Sequence, residues 1–129
     1  MTTLLVRTDY THPHAWKNLL TTVQTPNTDG FLADTVTLDD PAYRDLPPEH
    51  VLQRLAADQP DRLVALADTT TLTSDELPIL VIDRFEEPHQ SLRVTADQLW
   101  SIDNNLTLGN MDYEEFVEAA HDDGVFRGF

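Results

Sequence analysis

A carboxylate and two imidazoles stand close together in the run Asp9-Tyr10-Thr11-His12-Pro13-His14. Aspartate and histidine both ligate zinc, but a zinc site needs three or four such ligands converging on one point. No third histidine has a matching local position, and His50, His89 and His121 could join only through folding. A second run, residues 103–114, puts oxygen-bearing side chains at Asp103, Asn105 and Thr107 and a glutamate at its twelfth position, Glu114. That partly mimics a calcium-wrapping loop, but the sixth position, where the sharp turn requires glycine, is Leu108, and the ninth is Met111. We therefore assign no metal site.

Other chemistry is limited by what the chain lacks. Its four glycines, Gly30, Gly109, Gly124 and Gly128, form no phosphate-cradling loop, and neither a GxSxG elbow nor an HExxH helix is present. Without cysteine there is no thiolate ligand, thiol nucleophile or disulfide. The pairs Asp39-Asp40, Glu86-Glu87 and Asp122-Asp123 are neighbours, and neighbours on extended chain point apart, so adjacency builds no acid/base couple. Asp9 and Asp68 follow apolar runs, where a phospho-accepting receiver domain keeps its acids. The acid pair of such a domain is missing, however, and the sole lysine, Lys17, falls in the first helix. No catalytic residue and no cofactor follow, and an enzymatic role is left open but disfavoured.

Placing these residues requires elements. Leu4 to Thr8 reads as a strand. Trp16, Leu19, Leu20 and Val23 then recur at one helical face, with Pro13 at a first-turn position and Pro26 beyond the end. Phe31 to Leu38 reads as a second strand. Pro47-Pro48 open a helix carrying Val51, Leu52, Leu55 and Ala56, ended by Pro60. Leu63 to Ala67 is a continuous apolar run, the pattern of a strand covered on both faces. Ser74 could start one helical turn before Pro78. Ile79 to Asp83 and Ser91 to Val94 read as a hairpin turning through Glu86 to His89. Thr95 with Gln98 has the spacing of a capping box, predicting a helix to about Asn104, followed by a connector over residues 106–110. Asp112 with Glu115 caps a last helix whose inner face is Tyr113, Phe116, Val117 and Ala120. Trp16 and Trp100 fall on apolar helix faces and read as core. The apolar tail 125–129 should pack back on the body. The order implies one α/β domain over residues 1–129, a mixed sheet of about five strands with a parallel core plus a hairpin, and helices on its faces.

Charge narrows the partners. The 129 residues carry 23 acids and 8 bases, a net −15. Such a field repels nucleic-acid phosphates and anionic lipid, so neither nucleic acid nor membrane is an expected partner. The longest apolar run, Ile79 to Ile82, is far short of a bilayer span, and no basic n-region precedes Leu4-Leu5-Val6. A cytoplasmic location is the expectation. From Thr95 onward there are eight acids against one base, Arg127. Glu114, Glu115 and Glu118, with Asp122 one turn on, cover the outer face of the last helix.

The segments Leu99-Trp100-Ser101-Ile102-Asp103-Asn104-Asn105-Leu106, Gly109-Asn110-Met111-Asp112-Tyr113-Glu114-Glu115-Phe116 and Asp122-Asp123-Gly124-Val125-Phe126-Arg127-Gly128-Phe129 resemble a family of small acidic actinobacterial proteins carrying a domain of unknown function. Leu4 to Asp9 and Asp39 to Tyr43 share the likeness, which spans nearly the whole chain and implies no particular activity. Residues 105–116 are also similar to segments of small immunity proteins that neutralise toxins.

The expectation is a protein-binding module, an inhibitor or immunity-type partner of a basic protein, contacting it through Asp112, Glu114, Glu115, Glu118 and Asp122. The rival is a small enzyme or ligand-binding domain at the carboxyl ends of the strands, where Asp9, His12, His14, Asp39 and Asp68 would gather. A third possibility is that the charge serves only solubility or salt adaptation. A deep pocket joining the strand-end residues would favour the rival; side chains committed to salt bridges would remove its support.

Overall fold

Leu4, Leu5 and Val6 bury both faces of β1 (Thr3–Arg7), and the sheet is built outward from this strand. The computed structural model describes residues 2–55, 59–86, 90 and 92–129. β1 lies between β2 (Thr35–Leu38) and β3 (Leu63–Ala67), parallel to both. β4 (Pro78–Asp83) runs antiparallel to β3 and to β5 (Leu92–Thr95), and β6 (Val125–Phe126) runs parallel to β5. The order is β2-β1-β3-β4-β5-β6. The mixed α/β sheet with a parallel core and a hairpin is as the sequence predicts. The sheet has six strands instead of five because the apolar tail packs back as a strand, with Val94 opposite Phe126.

Alternation divides the core into two layers. Leu5, Ala65, Val81 and Val94 face α1 (Pro13–Val23), α4 (Leu99–Thr107) and α5 (Tyr113–Ala119). Leu4, Val6, Val64, Leu66 and Ile82 face the other way, onto α2 (Pro48–Arg54) and Tyr43. β3 is buried along its whole length, as a strand covered on both sides must be. α1 starts at Pro13 and buries Trp16, Leu19 and Val23, the stripe its spacing predicts.

Four local expectations are corrected. Strand two begins at Thr35, not Phe31. Phe31 stacks on Trp100, ring centroids 5.1 Å apart, and this draws the chain ahead of Thr35 off the sheet edge. The short helix after β3 is α3 (Thr69–Leu72), not a turn starting at Ser74. The Asp68 carboxylate accepts the Thr71 N–H at 3.0 Å and so nucleates that helix early. Leu77, just before Pro78, adopts a left-handed backbone at φ +49, which a helix cannot continue through. Thr95 does not cap α4: its hydroxyl donates to Asp97 at 2.7 Å, a 3-10 turn covers Ala96–Gln98, and the helix starts at Leu99. α4 also runs on to Thr107, because Leu106 continues the buried stripe of Leu99 and Ile102 by one more turn. Residues 103–107 are therefore helix and do not wrap an ion. Ala56, the turn residues Glu87 to His89 and Ser91 lie outside the described residues.

Candidate functional site

The outer face of α5 follows from its caps and its anchors. The Glu115 carboxylate accepts the Asp112 N–H at 2.8 Å, which fixes the start of the helix as the sequence predicts. Tyr113 and Phe116 point inward; the Tyr113 hydroxyl donates to the Val81 carbonyl at 2.8 Å, and Phe116 meets Phe126 edge-on at 5.1 Å. With that side fixed, helical spacing turns Glu114, Glu115 and Glu118 outward, and all three are exposed, as are Asp112 and Asp122. Glu114 accepts from Gln90 at 2.7 Å. Among the described residues no arginine or lysine pairs with any of these five acids. Glu118 lies in the last turn, where the helix dipole favours a cation, and sits four residues from Glu114, a like-charge spacing that costs a few tenths of a kcal/mol. Glu114 and Glu115, in the first turn, are by contrast favoured by the dipole.

The arginines, by contrast, are all occupied within the molecule. Arg62 grips the buried Asp83 carboxylate with two bonds, 2.9 and 2.7 Å, and Arg93 grips Asp68 with two, 3.0 and 2.8 Å. Hydrogen bonding to Asp83, helped by the charges of Glu86 and Asp112, holds the Arg62 guanidinium above its ordinary pKa. Arg127 spans Glu76 and Asp123, and Arg84 donates to the Gln59 and Asp61 carbonyls. Arg7 pairs with Asp39 and lies 4.3 Å from the Tyr10 ring centroid; Arg44 stacks on the same ring, and Arg54 on Tyr43. The arginines are thus held by acids, carbonyls or aromatic rings, Arg44 and Arg54 from exposed positions, while Lys17 stands exposed on α1.

At the strand ends the sheet order reverses about β1, which places the ends of β1 and β3 at the switch point of an α/β fold. Asp9 and Asp68 share a crevice of about 280 Å³ there, lined also by Thr8, Asp45 and Pro47. Asp9, 2% exposed, accepts the Thr11 N–H and hydroxyl and meets His12 Nδ1 at 2.6 Å. Burial pushes its carboxyl up, but the bonds from Thr11 and His12 outweigh burial and hold it below the usual value of 3.8. Asp68 is likewise held low, burial being outweighed by Arg93 and Thr71. Burial and the facing Asp39 push the Tyr10 phenol up to about 12. Asp39 is tied to Arg7, and His14 is exposed on the first turn of α1, outside the crevice. Of the five strand-end residues, the structure therefore joins Asp9 with His12 and puts Asp9 beside Asp68. The three carboxylates are already committed to partners in the fold. Among the described residues no group of three or more metal-ligating side chains gathers.

The Asp9–His12 contact makes a pH prediction. A carboxyl whose folded pKa is depressed adds stability above its unfolded value, near 3.8, and that stability is lost as pH falls through the folded value. His12→Ala is expected to cost about 0.5–1.5 kcal/mol at neutral pH and to move acid unfolding to higher pH. An acid titration followed by circular dichroism checks this; an unmoved midpoint refutes it.

Arg93 and Arg7, which organise the strand ends, carried no local signal, since their partners lie on other strands. A family model described as Domain of unknown function (DUF6924) matches residues 2–129. No curated protein and no solved structure matches the chain.

Proposed function

The chain belongs to the DUF6924 family, and we propose that it is a small protein-binding module, an inhibitor- or immunity-type partner of a basic protein. The observation that carries this reading is the division of charge: the arginines are engaged by acids, carbonyls or aromatic rings of the fold, whereas Asp112, Glu114, Glu115, Glu118 and Asp122 stand outward on and beside α5, and among the described residues no arginine or lysine forms an ion pair with them. A surface of this kind steers a positively charged partner and speeds encounter. Inhibition works by occlusion: the carboxylates of α5 occupy a basic site shaped for phosphates. The strand-end crevice supports the rival less, because Asp9, Asp39 and Asp68 already serve as acceptors within the fold.

The test is capture from lysate on the immobilised chain. A basic protein retained at 150 mM salt should elute by 500 mM, since the Debye length falls from about 8 Å towards 3 Å as salt rises to 1 M. Glu114→Gln with Glu118→Gln should weaken retention by about tenfold or more, the size of a loss of ~1.4 kcal/mol. Glu49→Gln with Asp75→Asn removes the same charge from exposed positions elsewhere and should leave retention intact. Equal loss in both pairs, or retention indifferent to salt, defeats the reading.

A further inference from the structure

The two edges of the sheet are finished differently. At β6, Val125 is the residue whose N–H and C=O point away from β5, because Gly124 supplies the carbonyl that Arg93 binds. Both groups are taken by the chain itself: the Val125 carbonyl accepts from the His121 N–H at 3.0 Å, and its N–H donates to Asp123 at 3.1 Å. At β2 the Thr3 N–H binds the Asp34 carbonyl at 2.8 Å, so the parallel ladder turns Asp34, Val36 and Leu38 inward. The N–H and C=O groups of Thr35 and Thr37 then point outward, and among the described residues nothing bonds them. The residues are β-branched, the strand is extended, and Val36 is 49% exposed on the face it shares with Leu4. Natural sheets usually blunt such an edge by keeping it short or with lysine, proline, a bulge or a covering loop. β2 is short, four residues, but carries no lysine, proline or bulge, and among the described residues no backbone group pairs with its outer side.

Charge says what fits. Exposed Asp34 precedes the strand, and exposed Asp39 and Asp40 follow it, with Arg7 the cation that pairs there. We propose that β2 is a docking edge for an extended basic segment of a partner protein, which adds as a seventh strand through the backbone of Thr35 and Thr37 and places cationic side chains against the acids at its ends. A second copy of this chain is the wrong occupant, since it would set the same acids against one another. The inference rests on the basic-partner reading and goes beyond it, because β2 and α5 lie towards opposite edges of the sheet.

Thr37→Pro tests it cleanly. The Thr37 N–H points outward, so proline there removes a docking donor without breaking a bond to β1. The probe is a fluorescent peptide of alternating valine and threonine with lysines at both ends, beside a twin ending in glutamates, read by anisotropy at low salt. The lysine peptide should bind and the glutamate peptide should not. Thr37→Pro, and independently Val36→Lys, which keeps the backbone donor but adds repulsion, should each weaken binding by about tenfold or more. Urea midpoints of both variants should match the parent. Glu114→Gln with Glu118→Gln should leave peptide binding unchanged. If that pair abolishes binding while Thr37→Pro does nothing, the edge inference fails and the α5 reading stands. Failure of the lysine peptide to bind, or equal binding of the twin, also overturns it. A dimer in sedimentation that Thr37→Pro dissolves would assign the edge to a second copy instead.

Discussion

Phe116→Ala is expected to remove about 3–5 kcal/mol of stability, the cost of truncating a fully buried aromatic ring. Phe116 has no exposed surface and contacts both Phe126 and Phe129, with centroids 5.1 and 5.3 Å away. Those contacts, with Tyr113, are what hold α5 against β4 and β6. A small domain has roughly 5–15 kcal/mol in all, so the variant sits near the edge of folding. Urea denaturation should show a much lower midpoint, and retention of a basic partner should fall with it, because the negative face loses its anchor. Phe129→Ala is the control: Phe129 touches the same cluster but is 76% exposed, and its loss should stay within about 0.5 kcal/mol. Similar losses in the two variants would show that the ring cluster, not Phe116, positions the helix.

The second large effect is expected at Asp103. Its carboxylate is buried where α4 meets β1, accepting the Thr3 hydroxyl at 2.6 Å and the Asp34 N–H at 3.0 Å. Alanine there strands the buried Thr3 hydroxyl away from water, at about 1–3 kcal/mol, and removes the bond to the exposed Asp34 N–H, at about 0.5–1.5 kcal/mol, so a loss of about 2–4 kcal/mol is expected. Burial pushes the Asp103 carboxyl above 3.8, and the bonds from Thr3 and Asp34 offset this in part. The folded state then holds its proton longer than the unfolded chain. The stability from this group is complete below 3.8 and declines as pH rises through the folded value, opposite in sign to Asp9. Asp103→Asn, which cannot titrate, should flatten that portion of the stability–pH curve measured by urea unfolding. A curve that keeps its slope would show that another carboxyl is responsible.

Legibility followed the range of the interactions. The start and buried stripe of α1 could be read because Pro13 and the spacing of Trp16, Leu19 and Val23 are local, and β3 because five apolar residues stand in a row. The α5 face was visible for the same reason: helical periodicity fixes which acids share a side. β6 was missed as a strand because two residues have no period; only the parallel register beside β5 makes them one. α3 was missed because its cap pairs Asp68 with a threonine at the third position, where the familiar box has Glu or Gln. Thr95 carried the familiar box and did not use it, since a 3-10 turn over Ala96–Gln98 intervenes and moves the start of α4 to Leu99. The strand-end cluster was half visible. Its acids could be guessed from the ends of apolar runs, but Arg93 reaches Asp68 across the sheet, and cross-strand neighbours depend on strand order. The open character of β2 has the same origin, for nothing in Thr35-Val36-Thr37 announces that it lies outermost.

The self-closure of β6 by His121 and Asp123 also limits stoichiometry. A sheet with both margins available can be extended indefinitely, copy upon copy, as fibrils are. A sheet sealed at one margin has a direction and a terminus. On the docking-edge proposal, a segment that pairs with the other margin is expected to do so once, giving a saturable one-to-one titration.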